Sequence, residues 1–339
     1  MSDRPSSAYA DLLRRWLPDR SGPQLLLNTE SAGAAHELRS RSDSIWHCHF
    51  HAGPAREHDG MALPGLRFPE AELSAVSRVI WSWPKAKAEA DMLLAWLAAG
   101  LSADAELWLL GPNKSGIKSA PRFLEQRGWT VRKVGSARHC LLLRASPPAQ
   151  PAPFDLNRYW ARVEVPEAAD RELWSLPGVF SHSRIDKGSR CLLPFLRDLP
   201  GPALDFGSGA GLLALTAAAH QPTLAMTGVD HDWLAVLSSR RTAEQSGMTL
   251  EVHWMDGLTA LQGQWAALVT NPPFHTGLAT DYEITRRMLA DSRRLLQPGG
   301  LWLGVVNDHL PYQDWLNEHL QQVTCLHHGG GFRVWQGRV

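Results

Sequence analysis

Asn271-Pro272-Pro273-Phe274 brings together residue types suited to one demanding task, making a nucleophile of a planar amino nitrogen. The lone pair of an exocyclic NH2 on a base or an amide is delocalised into the π system and attacks poorly. Acceptors that take the N–H protons localise that lone pair and aim it, and the Asn271 side-chain oxygen and the Pro272 carbonyl are two such acceptors. The prolines have no N–H and stiffen the turn, so its carbonyls stay pointed outward. Phe274 is placed to stack on a flat substrate. The competing reading is an ordinary strand-to-helix turn, because Asn-Pro is a common turn pair.

A second signal lies sixty residues upstream. Ala203 and Leu204 lead into Asp205-Phe206-Gly207-Ser208-Gly209-Ala210-Gly211, and a helical stretch follows from Leu212 to His220. This is a strand, a tight turn and a helix N-terminus, with glycine wherever the turn needs positive φ or bare backbone against a ligand. A nicotinamide-binding loop is the obvious competitor. Its fingerprint is G-x-G-x-x-G, whereas Leu212 stands here where the last glycine would fall.

Two further apolar runs end in acids. Leu224 to Val229 reaches Asp230, suited to both hydroxyls of a ribose, and Leu250 to Trp254 leads to Asp256, placed to accept from an adenine amino group. Three carboxylates after three successive strands suit S-adenosylmethionine, whose sulfonium is cationic and whose sugar and base offer donors. The plainer reading of Asp230 and Asp256 is as caps of strand ends. Trp265 to Thr270 forms a fourth strand and delivers Asn271 to the carboxyl edge of the sheet, where open α/β sheets bind ligands.

With these motifs in place, the chain resembles the ribosomal RNA guanine-N2 methyltransferases, and within them the small-subunit methyltransferase C group. The resemblance extends through Leu176-Pro177-Gly178-Val179-Phe180-Ser181, Asp186-Lys187-Gly188-Ser189, Trp83-Pro84-Lys85 and the run Leu109 to Ser119. Asn-Pro-Pro-Phe is shared with adenine-N6 and glutamine-N5 methyltransferases, so the first-half segments carry the specificity. The resemblance implies methyl transfer from S-adenosylmethionine to N2 of a guanine in 16S rRNA, G1207 in standard rRNA numbering, with the 30S subunit as substrate. It implies cofactor contacts at Asp205, Gly207, Ser208, Gly209, Gly211, Asp230, Asp256 and Asn271, and chemistry at Asn271 to Phe274. Ser208 stands where many relatives have cysteine. Other enzymes of the Asn-Pro-Pro class, acting on a large-subunit guanine, an adenine or a glutamine, are the first alternative. A ribosome assembly factor without turnover is the second.

At 339 residues the chain is long enough for two domains. The expected division is a degenerate methyltransferase-like domain over 1–145, a proline-rich linker over 146–155 and the catalytic domain over 156–339. The fold class expected is α/β, two tandem Rossmann-like class I methyltransferase-type domains, the second with a seven-stranded sheet ending in a hairpin from Gln321 to Gln336. In the first half, strands are expected near Leu25 to Asn28, Ile45 to Phe50, Val76 to Trp83 and Leu107 to Leu110, with a helix from Lys85 to Ala99. After Leu25 to Asn28 only Gly33 stands where the second half has three glycines, and Lys85 offers donors only. The first domain is therefore expected to hold RNA or brace the second, and to do no chemistry.

The formal net charge is zero, unexpected for an enzyme of RNA, but the charge is uneven. Between Gly111 and Arg144, eight basic residues (Lys114, Lys118, Arg122, Arg127, Arg132, Lys133, Arg138 and Arg144) face Glu125 alone. Several on one face would hold RNA phosphates. Arg184, Lys187 and Arg190 form a second basic group, expected with Phe274 and His275 to meet the target nucleotide. No run of eighteen apolar residues and no apolar leader occurs, so the expectation is a cytoplasmic protein, not of the membrane and working as a monomer. Cys48, Cys140, Cys191 and Cys325 have no metal spacing and read as free thiols. His47, His49 and His51 alternate as a strand face would, yet no second ligand cluster accompanies them, so no metal is expected.

Overall fold

Residues 4–29, 32–39, 45–48, 73–272, 279–308 and 311–339 are described by a computed structural model. The chain divides into two compact units, Met1–Tyr159 and Trp160–Val339.

In the second unit, Ala161–Val165 (β7) and Arg171–Ser175 (β8) form a separate antiparallel ribbon. The main sheet contains Ala203–Phe206 (β9), Met226–Asp230 (β10), Leu250–Trp254 (β11), Trp265–Thr270 (β12), Leu296–Asn307 (β13), Gln321–Gly329 (β14) and Phe332–Arg338 (β15). Their order is β11-β10-β9-β12-β13-β15-β14, a seven-stranded sheet, parallel except where β15 joins β13 and β14. β9 is buried at all four positions, as a strand covered on both faces must be. Alternate residues serve opposite cores. Ala267, Val269, Leu303 and Val305 pack with Leu192, Leu196, Leu213 and Ala217. Leu268, Trp302 and Val306 pack with Leu204, Leu289 and Leu316. The chain runs outward from β9 to β10 and β11, then returns to β12 on the other side of β9. That reversal leaves a crevice beyond the carboxyl ends of β9 and β12.

The first unit has Gln24–Leu27 (β1), Ile45–Cys48 (β2), Arg78–Ser82 (β3), Glu106–Pro112 (β4), Thr130–Ala137 (β5) and Cys140–Ser146 (β6). Their order, β2-β1-β3-β4-β6-β5, reproduces β10-β9-β12-β13-β15-β14 of the second unit strand for strand. Both units thus carry the class I methyltransferase arrangement. The helix Lys87–Gly100 buries Ala90, Met92, Leu93, Leu94, Trp96 and Leu97. At the entry to the sheet, Gln24, Arg78 and Glu106 stand in register on three neighbouring strands. Glu106 takes two bonds of 3.2 Å from the fully buried Arg78, one from the Trp108 indole at 2.8 Å, and ion pairs with Arg20 and Arg144 at 3.2 Å and 2.6 Å.

At the carboxyl edge of this sheet, the chain leaves β1 through Asn28 and Thr29. Thr29 is fully buried, and its hydroxyl donates towards the carbonyls of Leu27 at 3.0 Å and Ile80 at 3.3 Å. By register, Ser82 holds the place that Asn271 holds after β12, and its hydroxyl lies 3.4 Å from that of Thr29. His49 and His51 lie outside the described residues, while His47 is on β2. Among the described residues no three His, Cys, Asp or Glu side chains cluster as metal ligands, and no helix is long and apolar enough to cross a membrane.

Candidate active site

β9 ends at Phe206, and the chain turns through Gly207, Gly209 and Gly211 with φ of 73°, 54° and 86°. All three values lie in the left-handed region that L side chains avoid. A Cβ added to Gly209 would meet nothing within 4 Å, so this stretch of backbone borders open space. A Cβ on Gly211 would meet Ser239 of the helix Trp233–Ser246 at 3.4 Å, an ordinary contact, so it is the positive φ that calls for glycine ahead of the helix Leu212–His220. Ser208 turns inward. Its side chain is buried and accepts from the Ser239 hydroxyl at 3.3 Å, leaving the loop backbone to face the crevice.

Asp230, at the end of β10, holds the loop in shape. One carboxylate oxygen accepts from the Gly209 N–H at 2.8 Å and the other from the Asp232 N–H at 2.9 Å. The capping reading of Asp230 therefore has direct support, and it does not compete with a ligand role, because a carboxylate offers about four lone pairs. His231 adds an ion pair to Asp230 at 3.4 Å. Burial favours neutral His231, but Asp230 and the neighbouring Asp232 and Asp256 outweigh it and raise its pKa. Asp256 is exposed after β11 and pairs with Arg287 at 3.7 Å.

Asp205 is the most unusual group at the site. It is fully buried, and neither carboxylate oxygen has a hydrogen-bond partner. Burial, with repulsion from Asp230 added, pushes its carboxyl up to about 7.

Asn271 follows β12 directly, and Thr270 beside it donates from its hydroxyl to the Phe206 carbonyl at 2.8 Å, tying the ends of β12 and β9 together. The Asn271 NH2 donates to the Ser189 hydroxyl at 2.8 Å and to an Asp186 carboxylate oxygen at 3.3 Å. Asp186 also caps the helix Lys187–Leu192, accepting from the Ser189 N–H at 3.0 Å. Pro272 is buried; Pro273, Phe274 and His275 lie outside the described residues. Sequence reasoning quoted Asp186 and Ser189 only as part of a resemblance and gave them no task. Asp186 had a signal of its own, since aspartate is favoured at a helix N-cap, whereas Ser189 had none.

The basic residues separate. Lys114 and Lys118 are exposed on two short 3-10 turns joined by Gly116 at φ 86°, and Arg122, Arg132 and Lys133 are exposed near them in sequence. Three others are engaged: Arg127 pairs with Asp91 and lies over the Phe123 ring, Arg138 pairs with Asp11 at 3.0 Å, and Arg144 joins the Glu106 cluster. Arg184, Lys187 and Arg190 are exposed, Arg190 within 3.9 Å of Glu167.

An unpartnered buried carboxylate, a glycine loop bordering open space and an anchored acid at the end of β10 form a site that fits a cationic nucleoside cofactor. The methyltransferase small domain model matches residues 170–336, and the methyltransferase small domain N-terminal model matches 12–163. The ribosomal RNA small subunit methyltransferase C of Pseudomonas paraeruginosa is 41% identical over 322 residues, covering 94% of this chain and 95% of that protein. The enzyme of the same name from Pseudomonas fluorescens is 38% identical over 316 residues, covering 90% and 92%. In fold, the chain is similar to the T. thermophilus 16S rRNA N2 G1207 methyltransferase in complex with AdoMet and guanosine, with a TM-score of 0.82, 22% identity, and coverage of 97% of this chain and 91% of that one. Likeness of this extent in sequence, running through both units, places the chain in the ribosomal RNA small subunit methyltransferase C family, as a methyltransferase that uses S-adenosylmethionine.

Proposed function

We propose that the enzyme methylates the exocyclic N2 of a guanine in 16S rRNA, at G1207 in standard numbering, with the 30S subunit as substrate. The observation that carries this reading is the orientation of Asn271, whose NH2 is held by Asp186 and Ser189 at the carboxyl edge of the sheet beside the glycine loop. With its nitrogen so engaged, its oxygen is the atom left to accept from a substrate amino group.

S-adenosylmethionine, when bound, supplies a methyl group on a positively charged sulfur. Gly207 to Gly211 present backbone to it, Asp230 takes the ribose hydroxyls with its remaining lone pairs, and the buried Asp205 favours its positive charge. Asp256 reaches the adenine amino group. Asn271 and the Pro272 carbonyl accept from N2 of the guanine and aim its lone pair in line. Phe274 stacks on the base, with His275 shaping the pocket. N2 becomes acidic as the methyl group arrives, so its surplus proton leaves to water or to Asn271 and its hydrogen-bonded neighbours. The exposed Lys114 and Lys118 of the first unit, and Arg184, Lys187 and Arg190 of the second, contact RNA phosphates. The identity of the relatives at 38 to 41% supports the ribosomal substrate, since both enzymes act in that capacity by name.

The test is methyl transfer from labelled S-adenosylmethionine to 30S and to 50S subunits, with Asn271→Ala beside each, followed by mapping of the labelled nucleotide. Label on one small-subunit guanine that vanishes in the variant is the expected result. Label on 50S subunits alone would move the enzyme to a different guanine.

A further inference from the structure

Asn271 can serve as an acceptor only if its amide is the right way round. Oxygen and nitrogen of an amide occupy nearly the same volume, so shape alone does not decide between them. Charge does. A carboxylate offers acceptors, and the Asp186 oxygen 3.3 Å away also receives the Ser189 N–H, so the amide atom that faces it is the NH2. The second N–H of that group is within reach of the Ser189 hydroxyl at 2.8 Å. Turning the amide over would set its oxygen against a carboxylate, a repulsive contact in a half-buried place.

The two partners are themselves fixed. Asp186 is the cap of the helix Lys187–Leu192, and the same oxygen that receives Asn271 also receives the Ser189 N–H at 3.0 Å. Ser189 and Gly188 are buried. A Cβ on Gly188 would come within 3.0 Å of that oxygen and 2.9 Å of the Phe332 ring, so glycine there leaves room for the carboxylate. The cap of one short helix, 85 residues distant in sequence, thus meets the side chain that ends β12.

We propose that Asp186 and Ser189 are positioning residues, which set the rotamer of Asn271 so that its oxygen, not its nitrogen, faces the substrate amino group. The proposal rests on the acceptor role assigned to Asn271 above.

Asp186→Asn is the informative variant. Asparagine caps a helix about as well as aspartate, so the fold is kept, but its amide can present either a donor or an acceptor to Asn271. The expected result is a kcat about ten- to a hundredfold lower, with KM for 30S subunits and the Kd for S-adenosylmethionine unchanged. Ser189→Ala should lower kcat in the same way. Because both act through Asn271, the double variant Asp186→Asn with Asn271→Ala should be no slower than Asn271→Ala alone. Normal kcat in both Asp186→Asn and Ser189→Ala beside a slow Asn271→Ala would overturn the positioning role and leave the acceptor role standing, as would losses that multiply in the double variant. A normal rate in Asn271→Ala would remove the acceptor role and the positioning role with it.

Discussion

Asn271, Asp230 and Asp205 each hold a different part of the site, and substitution separates them. If Asn271 is the acceptor proposed above, Asn271→Ala should lower turnover a hundredfold or more, on the order of 3 kcal/mol, while calorimetry finds cofactor binding near normal. Asp230→Ala frees the Gly209 and Asp232 amides together with any ribose contact, and should raise the cofactor Kd at least about tenfold. Asp205 makes a prediction in pH. Its pKa in the fold, about 7, lies above the ordinary carboxylate value, so its contribution to stability is complete below about pH 4 and is lost as pH rises towards 7. A cationic ligand favours the ionised form, so the cofactor should bind more tightly as pH rises, roughly tenfold per unit below the pKa and flattening above it. Asp205→Asn should abolish that dependence in titration calorimetry, and a slope unchanged in the variant would assign it elsewhere.

At the scale of elements, the strands that carry the site were the legible part of the sequence. Trp265–Thr270 stands where its apolar run put it, because a strand covered on both faces is apolar throughout; Leu250–Trp254 is an edge strand that alternates with Glu251 and His253, and the helix Leu212–His220 begins where glycine marks the turn. The ribbon of β7 and β8 left a weaker trace, since its alternating residues include Arg162, Glu164 and Glu172 and resemble a loop. The contact of Asp186 with Asn271 left none, for it joins elements 85 residues apart whose proximity only the folded unit creates. Likewise Arg144 read as part of a basic surface until the fold set it against Glu106, across β4 and β6. The helix start at Asp186 also carries a prediction of its own: Gly188→Ala should push the Asp186 carboxylate and the Phe332 ring apart and lower the melting temperature, since two contacts at or below 3.0 Å must yield.

For the whole molecule, catalysis and the gathering of RNA should come apart under substitution. Reversing charge at the exposed Lys114 and Lys118 should weaken binding to 30S subunits and flatten its salt dependence by up to about two units of log–log slope, leaving cofactor affinity as it was. A slope unchanged in the double reversal would move the RNA surface to other residues. Both units have the same strand order, yet the buried Thr29 follows β1 in the first where the glycine loop from Gly207 to Gly211 follows β9 in the second. On the reading proposed above, the duplication is architectural and the chemistry belongs to the second unit alone. The expected consequence is one S-adenosylmethionine bound per chain, a single-site isotherm in titration calorimetry; a second equivalent bound would give the first unit a site of its own.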